Sequence, residues 1–473
     1  MFDRYVIMIL KGKGVEYYNI MLNYNLSTKN LLSSQDLDFI HDKSMEVLEQ
    51  DGVKFDSQKA LDIFQKNNIK TENNRVFIAE ETVAKALKQI PRSFTLSARN
   101  SDNNVKIGGD ETVLGPPLSA PFNLDRGREK YSKYEDYLNF IKLYQQNSHI
   151  QLNGGEITPP TDIADNNRHK KMFYAAVKYS DKPLLGTGTG NNSRDCLQMA
   201  EEVFGTDNFA DNNYMLKMVG ASSPLSFDET PLQTLLHWSQ NSQPLAIYAQ
   251  ILAGVSGPAS RAGLLIQQNA EILSGAVLVQ LINPGTPVIY SSYSSAADMN
   301  SGNITVGNGF YAQIIAATAQ IADYYNLPSL TAGAITDSAE FDSRSGAESM
   351  MNLIAAFTAN VDIIMFAAGA CRNYLGISGR KVVQDTEIIK SIKNFQRKIE
   401  FQDNADAREA ISDVEPGSSF LTHPHTLSHL QNKGNEGKVN QFANSQAAVE
   451  KMLENYQQPN LNSKIEKKLE QMI

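Results

Sequence analysis

A chain of 473 residues with 41% hydrophobic residues can bury a full core, as one large domain with additions or as two or three smaller ones. Its formal net charge is −9 and the acidic residues are dispersed, which speaks against nucleic acid or an anionic membrane surface as partner, since both demand a basic patch. Cys196 and Cys371 are the only cysteines, too few for a disulfide framework or a thiolate zinc centre, and they point to a reducing cytoplasm.

Residues 1–32 read as an N-terminal extension. The apolar run 5–10 is ended by Lys11 and Lys13 with no small-residue cleavage site after it, so a secretory signal is not expected, and Met21 offers a second start. No run approaches the ~18 apolar residues of a membrane span. Residues 33–110 read as a helix-rich region packed on the large segment C-terminal to it. Ser33 and Asp36 form a capping box, Leu37, Ile40, Ser44, Val47 and Leu48 share a helical face, and Gly52 stops it. Further helices are expected at 57–67 and 80–90, with short strands at 76–78 and 93–98.

Between 111 and 380 the pattern becomes regular. Buried-strand runs fall at 112–114, 150–152, 183–185, 216–219, 245–248, 288–290, 329–331 and 363–366. Helical patterns such as 134–145, 228–240 and 348–359 lie between them, at the spacing of βαβ units. The loops after the strands (GPPLSAP, NGGEITPP, GTGTGNN, GASSPLS, AQILAGVSGP, SSYSSAADM, AGAITDS, AAGACRNY) are rich in Gly, Ser, Thr, Ala or Pro. This predicts an α/β fold, a (β/α)₈ barrel whose site is built from those loops. The alternative is an open doubly wound sheet, but Gly186-Thr187-Gly188-Thr189-Gly190 only partly imitates the dinucleotide fingerprint and has no ribose-binding acid at a credible distance. Residues 381–473 read as a C-terminal extension with helices at 443–456 and 464–473.

Three sets of residues could carry chemistry. His423, His425 and His429 could ligate a metal, yet no carboxylate or cysteine lies at ligand spacing and the run is outside the barrel, so a structural role is expected and no metal site. Glu156 follows the second strand, and Asp337, Glu340 and Asp342 follow the seventh. Such carboxylates could act as acid and base or orient a cation, while Asp337 also suits a helix cap. Phe122, Tyr248, Tyr290, Tyr293, Phe341, Phe366 and Tyr374 fall at or just beyond strand C-termini, and ring faces attract quaternary ammonium. No nucleophile elbow, P-loop or H-E-x-x-H motif occurs, nor the Asp-x-His-x-x-Gly run by which many corrinoid proteins replace a cobalt ligand.

Residues 32–430, with the stretches DGVKFDSQKALDIF, IPRSFTLSARN, LGPPLSAPFNLDRGREKYS, NAEILSGAVLVQLINPGTPVIY, AGAITDSAEFDSRSGAES and FLTHPHTLSHL, resemble the trimethylamine methyltransferase family of corrinoid-dependent methyltransferases. The resemblance implies a (β/α)₈ barrel that passes a methyl group from a methylated amine to the Co(I) of a cob(I)alamin-type corrinoid. That corrinoid belongs to a separate cognate protein and is not held tightly by this chain. The methanogen family members for trimethylamine carry pyrrolysine, which this sequence lacks; that departure points to quaternary amines such as glycine betaine, proline betaine or carnitine. On this reading Tyr248, Tyr290, Tyr293, Phe341 and Phe366 are the substrate-binding cage and Arg344 meets a substrate carboxylate, with Arg372 or loop amides as alternatives. Glu156 and Asp337 are polar orienters at the reacting centre. A non-catalytic sensor for the same amines is the competing reading, and a metal-dependent hydrolase using the three histidines a third. The outer helices would permit a homo-oligomer.

Overall fold

In the structure, a computed structural model, eight short strands pair side by side, each parallel to the next. They are β1 (Val113–Leu114), β2 (Asn153–Gly154), β3 (Leu184–Leu185), β4 (Met215–Gly220), β5 (Leu245–Ala249), β6 (Val288–Ser292), β7 (Ser329–Ala332) and β8 (Ile363–Met365). Their spatial order follows the sequence from β2 to β8, and β8 then pairs with β1. The seam between β1 and β2 is closed by the Leu114 carbonyl, which accepts from the Gln151 and Leu152 amides at 2.9 and 3.1 Å. A sheet in strict sequential order with its edges joined is a barrel; a doubly wound sheet would reverse order at a switch point. The residues described are 4–11, 14–21, 31–125, 128–205, 209–299, 302–339, 342–398, 407–432 and 445–473.

Each strand is followed by a helix that covers it: α1 (Tyr134–Gln146), α2 (Asp165–Tyr179), α3 (Asn192–Phe204), α4 (Glu229–Gln240), α5 (Arg261–Ile282), α6 (Gly309–Tyr324), α7 (Ser343–Thr358) and α8 (Gly379–Gln396). Local chemistry starts several of them. Ser260, Asn308 and Asp342 each accept an amide from the first turn of α5, α6 and α7. The expected strand positions hold except at β2, which lies just beyond 150–152 because the amides of Gln151 and Leu152 turn to the seam. Helix α5 is long and apolar enough to cross a membrane by length and composition, but 78% of its apolar window is buried inside the protein. It is a core helix.

Ahead of the barrel, residues 4–11 and 14–21 pair as an antiparallel hairpin. The capping box at Ser33 is present, with the Asp36 amide donating to Ser33 Oγ at 3.2 Å and the Ser33 amide to Asp36 Oδ2 at 2.8 Å. Helix Ser34–Glu46 ends in one wide turn at Val47–Asp51 and stops at Gly52, whose φ of +67° suits glycine alone. The strand Val53–Phe55 pairs with Ser226–Phe227 from the loop after β4, and Phe55 stacks on Phe227 at 5.3 Å. Asn269 on α5 donates to Ser44 Oγ at 3.0 Å and to the Tyr325 hydroxyl at 2.8 Å. At the other end, helices Ser445–Glu454 and Ser463–Met472 lie against α1, α2 and α3, with Glu466 3.4 Å from the Tyr174 hydroxyl and 2.7 Å from Lys178.

One buried lysine holds the foot of the barrel. Lys182 enters β3 and donates to the carbonyls of Tyr144, Asn147 and Ile150 at 2.5, 2.8 and 2.6 Å, so it caps the end of α1. Lys182→Met keeps the stem but strands three buried acceptors, each worth roughly 1–3 kcal/mol unmade. Urea unfolding should therefore show a loss of at least ~3 kcal/mol; a midpoint equal to wild type would refute this capping role.

Candidate functional site

The loops at the C-terminal ends of the strands converge on a cavity of about 310 Å³. Gly154 and Gly155, at φ +81° and +69°, turn the chain sharply after β2, and a Cβ on Gly155 would lie 2.8 Å from Leu185. That turn brings Glu156 to the cavity. Its Oε1 accepts the Gly188 amide at 2.9 Å and lies 3.7 Å from Lys217 Nζ, which donates to the Gly186 carbonyl at 3.2 Å.

Four rings form the opposite wall. Tyr248 lies on β5 beside Gly220, where any Cβ would stand 2.6 Å from the ring. Tyr293, one residue past β6, meets Tyr248, Phe366 and Tyr374 edge to face at 5.3, 5.6 and 6.0 Å, and Phe366 meets Tyr374 at 5.1 Å. This is the geometry aromatic quadrupoles favour. Burial first of all raises the pKa of Tyr248, Tyr293 and Tyr374, with the Glu156 charge adding to it at Tyr248 and Tyr311 at both others. The three phenols are therefore neutral near pH 7, and they present ring faces rather than phenolates to the cavity.

The backbone is strained here. Phe366 has φ +52°, and Arg372, Asn373 and Tyr374 are consecutive left-handed residues at +52°, +52° and +74°. Hydrogen bonds hold them so: the Arg372 amide donates to Ser338 O at 3.0 Å, the Asn373 amide to Thr336 O at 3.1 Å, and Asn373 Nδ2 to Ile304 O at 2.9 Å. The Tyr374 hydroxyl bonds that of Tyr311 at 2.6 Å. Non-glycine residues persist in this region only when their surroundings over-determine them, and such strain concentrates at ligand sites.

Of the residues singled out from sequence, the structure brings Glu156, Tyr248, Tyr293 and Phe366 together on this cavity, with Tyr374. Tyr290 is placed elsewhere. It lies on the outer side of β6, fully buried against α5, and its hydroxyl donates to Asn269 Oδ1 at 3.2 Å. Strand alternation explains this, because a residue facing the helices cannot also face the mouth. Asp337 sits behind the cavity wall, accepting the Val306 amide at 2.7 Å, with its pKa raised chiefly by burial. Arg344 is also outside the cavity: its side chain is 61% exposed and committed to Glu348 on its own helix at 2.6 Å and to Asp337 at 3.6 Å. A carboxylate one helical turn away on α7 is the partner nearest at hand. Phe341, like Glu340, lies outside the described residues. Asp342 caps α7. Phe122 packs against Tyr131 with the rings tilted, and Arg372, over the Phe122 ring, pairs with Glu129.

His423 lies 3.8 Å from Asp413, and the rings of His425 and His429 stack at 4.0 Å on one helix. Among the described residues no three His, Cys, Asp or Glu side chains converge to hold a metal. Sequence reasoning missed Lys217, Met218, Thr189 and Gln250, which also line the cavity. The one signal for them was Lys217, a charge inside the otherwise apolar run 215–219. A larger cavity of about 880 Å³ lies at the foot of the barrel, lined by Lys106, Glu111, Lys182 and Lys393 among others, on the face that carries stability rather than catalysis.

Comparison with known proteins bears on the family and the fold. Residues 13–473 match the family described as trimethylamine methyltransferase (MTTB). The chain is 35% identical over 462 residues to the glycine betaine methyltransferase of Desulfitobacterium hafniense (strain Y51), covering 94% of this chain and 96% of that protein. It is 30% identical over 410 residues to the proline betaine:corrinoid methyltransferase of Eubacterium limosum, covering 83% of each. The solved hydroxylamine complex of MtmB shares the fold, with a TM-score of 0.51 at 10% identity over 80% of this chain and 77% of that one. The protein belongs to the trimethylamine methyltransferase family.

Proposed function

We propose that this barrel moves a methyl group from a quaternary amine of the glycine betaine type to the Co(I) corrinoid of a separate partner protein. The observation that carries the reading is the quartet of Tyr248, Tyr293, Phe366 and Tyr374, set edge to face around a small cavity at the catalytic end of the barrel. Ring faces attract quaternary ammonium, and the attraction grows when water is excluded. The relatives from Desulfitobacterium hafniense and Eubacterium limosum, which act on betaines by name, support the same class.

A quaternary nitrogen is already charged, and loss of one methyl leaves a neutral tertiary amine. No proton has to be supplied at any stage, so no acid–base pair is needed at the reacting centre. The space of about 310 Å³ suits a small amine and not a corrin ring, so the corrinoid remains on its carrier and meets the substrate at the mouth. When docked it supplies the Co(I) nucleophile. Tyr248, Tyr293, Phe366 and Tyr374 hold the ammonium, fix one N-methyl toward the opening and keep water away from it. The cage favours the charged ground state, and that charge disappears as the methyl leaves. Binding by the rings therefore does not itself lower the barrier; alignment of the methyl with the nucleophile does.

Phe366→Ala should weaken glycine betaine binding by calorimetry about tenfold, within the range of one cation–π contact. It should also lower the melting temperature because the buried ring packs on Tyr293 and Tyr374, so affinity is compared well below the variant's melt. Unchanged affinity would remove the cage assignment. Affinity should also stay flat between about pH 6 and 9, because the nitrogen does not titrate and burial keeps the cage phenols protonated. Reduced cob(I)alamin with glycine betaine, proline betaine, carnitine, choline and trimethylamine in turn tests the reaction. Loss of the Co(I) absorbance is expected with a betaine; binding without any turnover, beside a competent control enzyme, would favour a non-catalytic binding barrel.

A further inference from the structure

We propose that Lys217 binds the carboxylate of the substrate, so that the cavity selects zwitterionic quaternary amines over simple quaternary cations. This rests on the methyl-transfer reading for the ammonium end. Among the described residues that line the cavity, Lys217 is the one cation. Its side chain is buried, yet its ammonium donates a single hydrogen bond, to the Gly186 carbonyl at 3.2 Å, and stands 3.7 Å from Glu156 Oε1, beyond hydrogen-bond range. An ammonium carries three donors, and a buried one left short of acceptors is costly. The spare donors suit an oxyanion arriving in the cavity.

Glu156 is the other half of the device. The Gly188 amide holds its Oε1 at 2.9 Å, so the two charges stay close without collapsing into a tight pair. The wall thus presents one positive and one negative charge side by side, with no net charge. A zwitterion fits it head to tail, its carboxylate toward Lys217 and its ammonium toward Glu156 and the rings. Glu156 and Tyr248 line the same cavity, so the carboxylate and the rings face one space. A simple cation gains from Glu156 but gives Lys217 nothing; a simple anion is repelled by Glu156. Arg344, which sequence alone suggested for this task, is outside the cavity and already paired.

The test is calorimetry of the full chain with glycine betaine and choline, which share the trimethylammonium group and differ in the carboxylate. Lys217→Met, checked for a native melt, should weaken glycine betaine at least about tenfold and leave choline within about twofold. Lys217→Arg should recover part of the loss. On the wild-type protein, which needs no variant to fold, the methyl ester of glycine betaine should bind at least about tenfold more weakly than the free acid. Equal losses for both ligands, or an ester that binds as well as the acid, would overturn the assignment while leaving the cage intact. A wild-type protein that binds none of the three would instead overturn the methyl-transfer reading, and this proposal with it.

Discussion

Closure of the sheet at a single carbonyl, Leu114, is the constraint on which the rest depends. Its two amide donors, Gln151 and Leu152, join the first strand to the second and leave no open edge in the barrel. Once the ring is closed, all eight strand ends point to one pole, and loops that are distant in sequence are brought around one mouth. Glu156, Lys217, Tyr248, Tyr293, Phe366 and Tyr374 come from several different strands and strand–helix connections, and no local folding could assemble them.

Precision at the mouth comes from polar ties behind it. Lys381 and Asp385 on α8 form a buried pair at 2.7 Å; Lys381 reaches the Ala334 carbonyl and Ser349 Oγ, and Asp385 accepts the Gly369 amide. One pair thereby fixes the loops after β7 and β8 to the same helix. Glu348 on α7 adds to this by accepting from Thr336 Oγ1 and the Asp337 amide. These ties hold Phe366 and the left-handed run 372–374 in conformations that free peptides avoid. A cage whose rings are already placed loses little entropy when a ligand enters.

The charge pattern separates binding from chemistry. On the proposed reading, the rings and Glu156 recognise a positive charge that the reaction removes, so the site has to balance hold against release. Its neutral, buried phenols add attraction through their ring faces without adding further charge. The carboxylates that would have served as acid and base are occupied elsewhere: Asp337 accepts the Val306 amide and Asp342 caps a helix. The proposed reaction transfers no proton and so leaves them free for structure.

Sequence by itself determined the fold and the catalytic pole. Strand and helix periods alternate with a regular spacing, and the capping box at Ser33 is local chemistry that needs no tertiary context. Aromatics at strand ends were legible for the same reason, because they could be counted against predicted strands. Tertiary structure decided which of them face the mouth. Tyr290 and Tyr293 are three residues apart and equally aromatic, yet alternation along β6 sends one to α5 and the turn beyond the strand sends the other to the cavity. It also decided the charges. Arg344 had an i,i+4 partner at hand on its own helix, whereas Lys217 lay hidden in an apolar run until Gly186 and Glu156, distant in sequence, were folded against it. Local periodicity follows from the backbone alone; the direction of a side chain and the partner it finds follow from neighbours that only the closed barrel supplies.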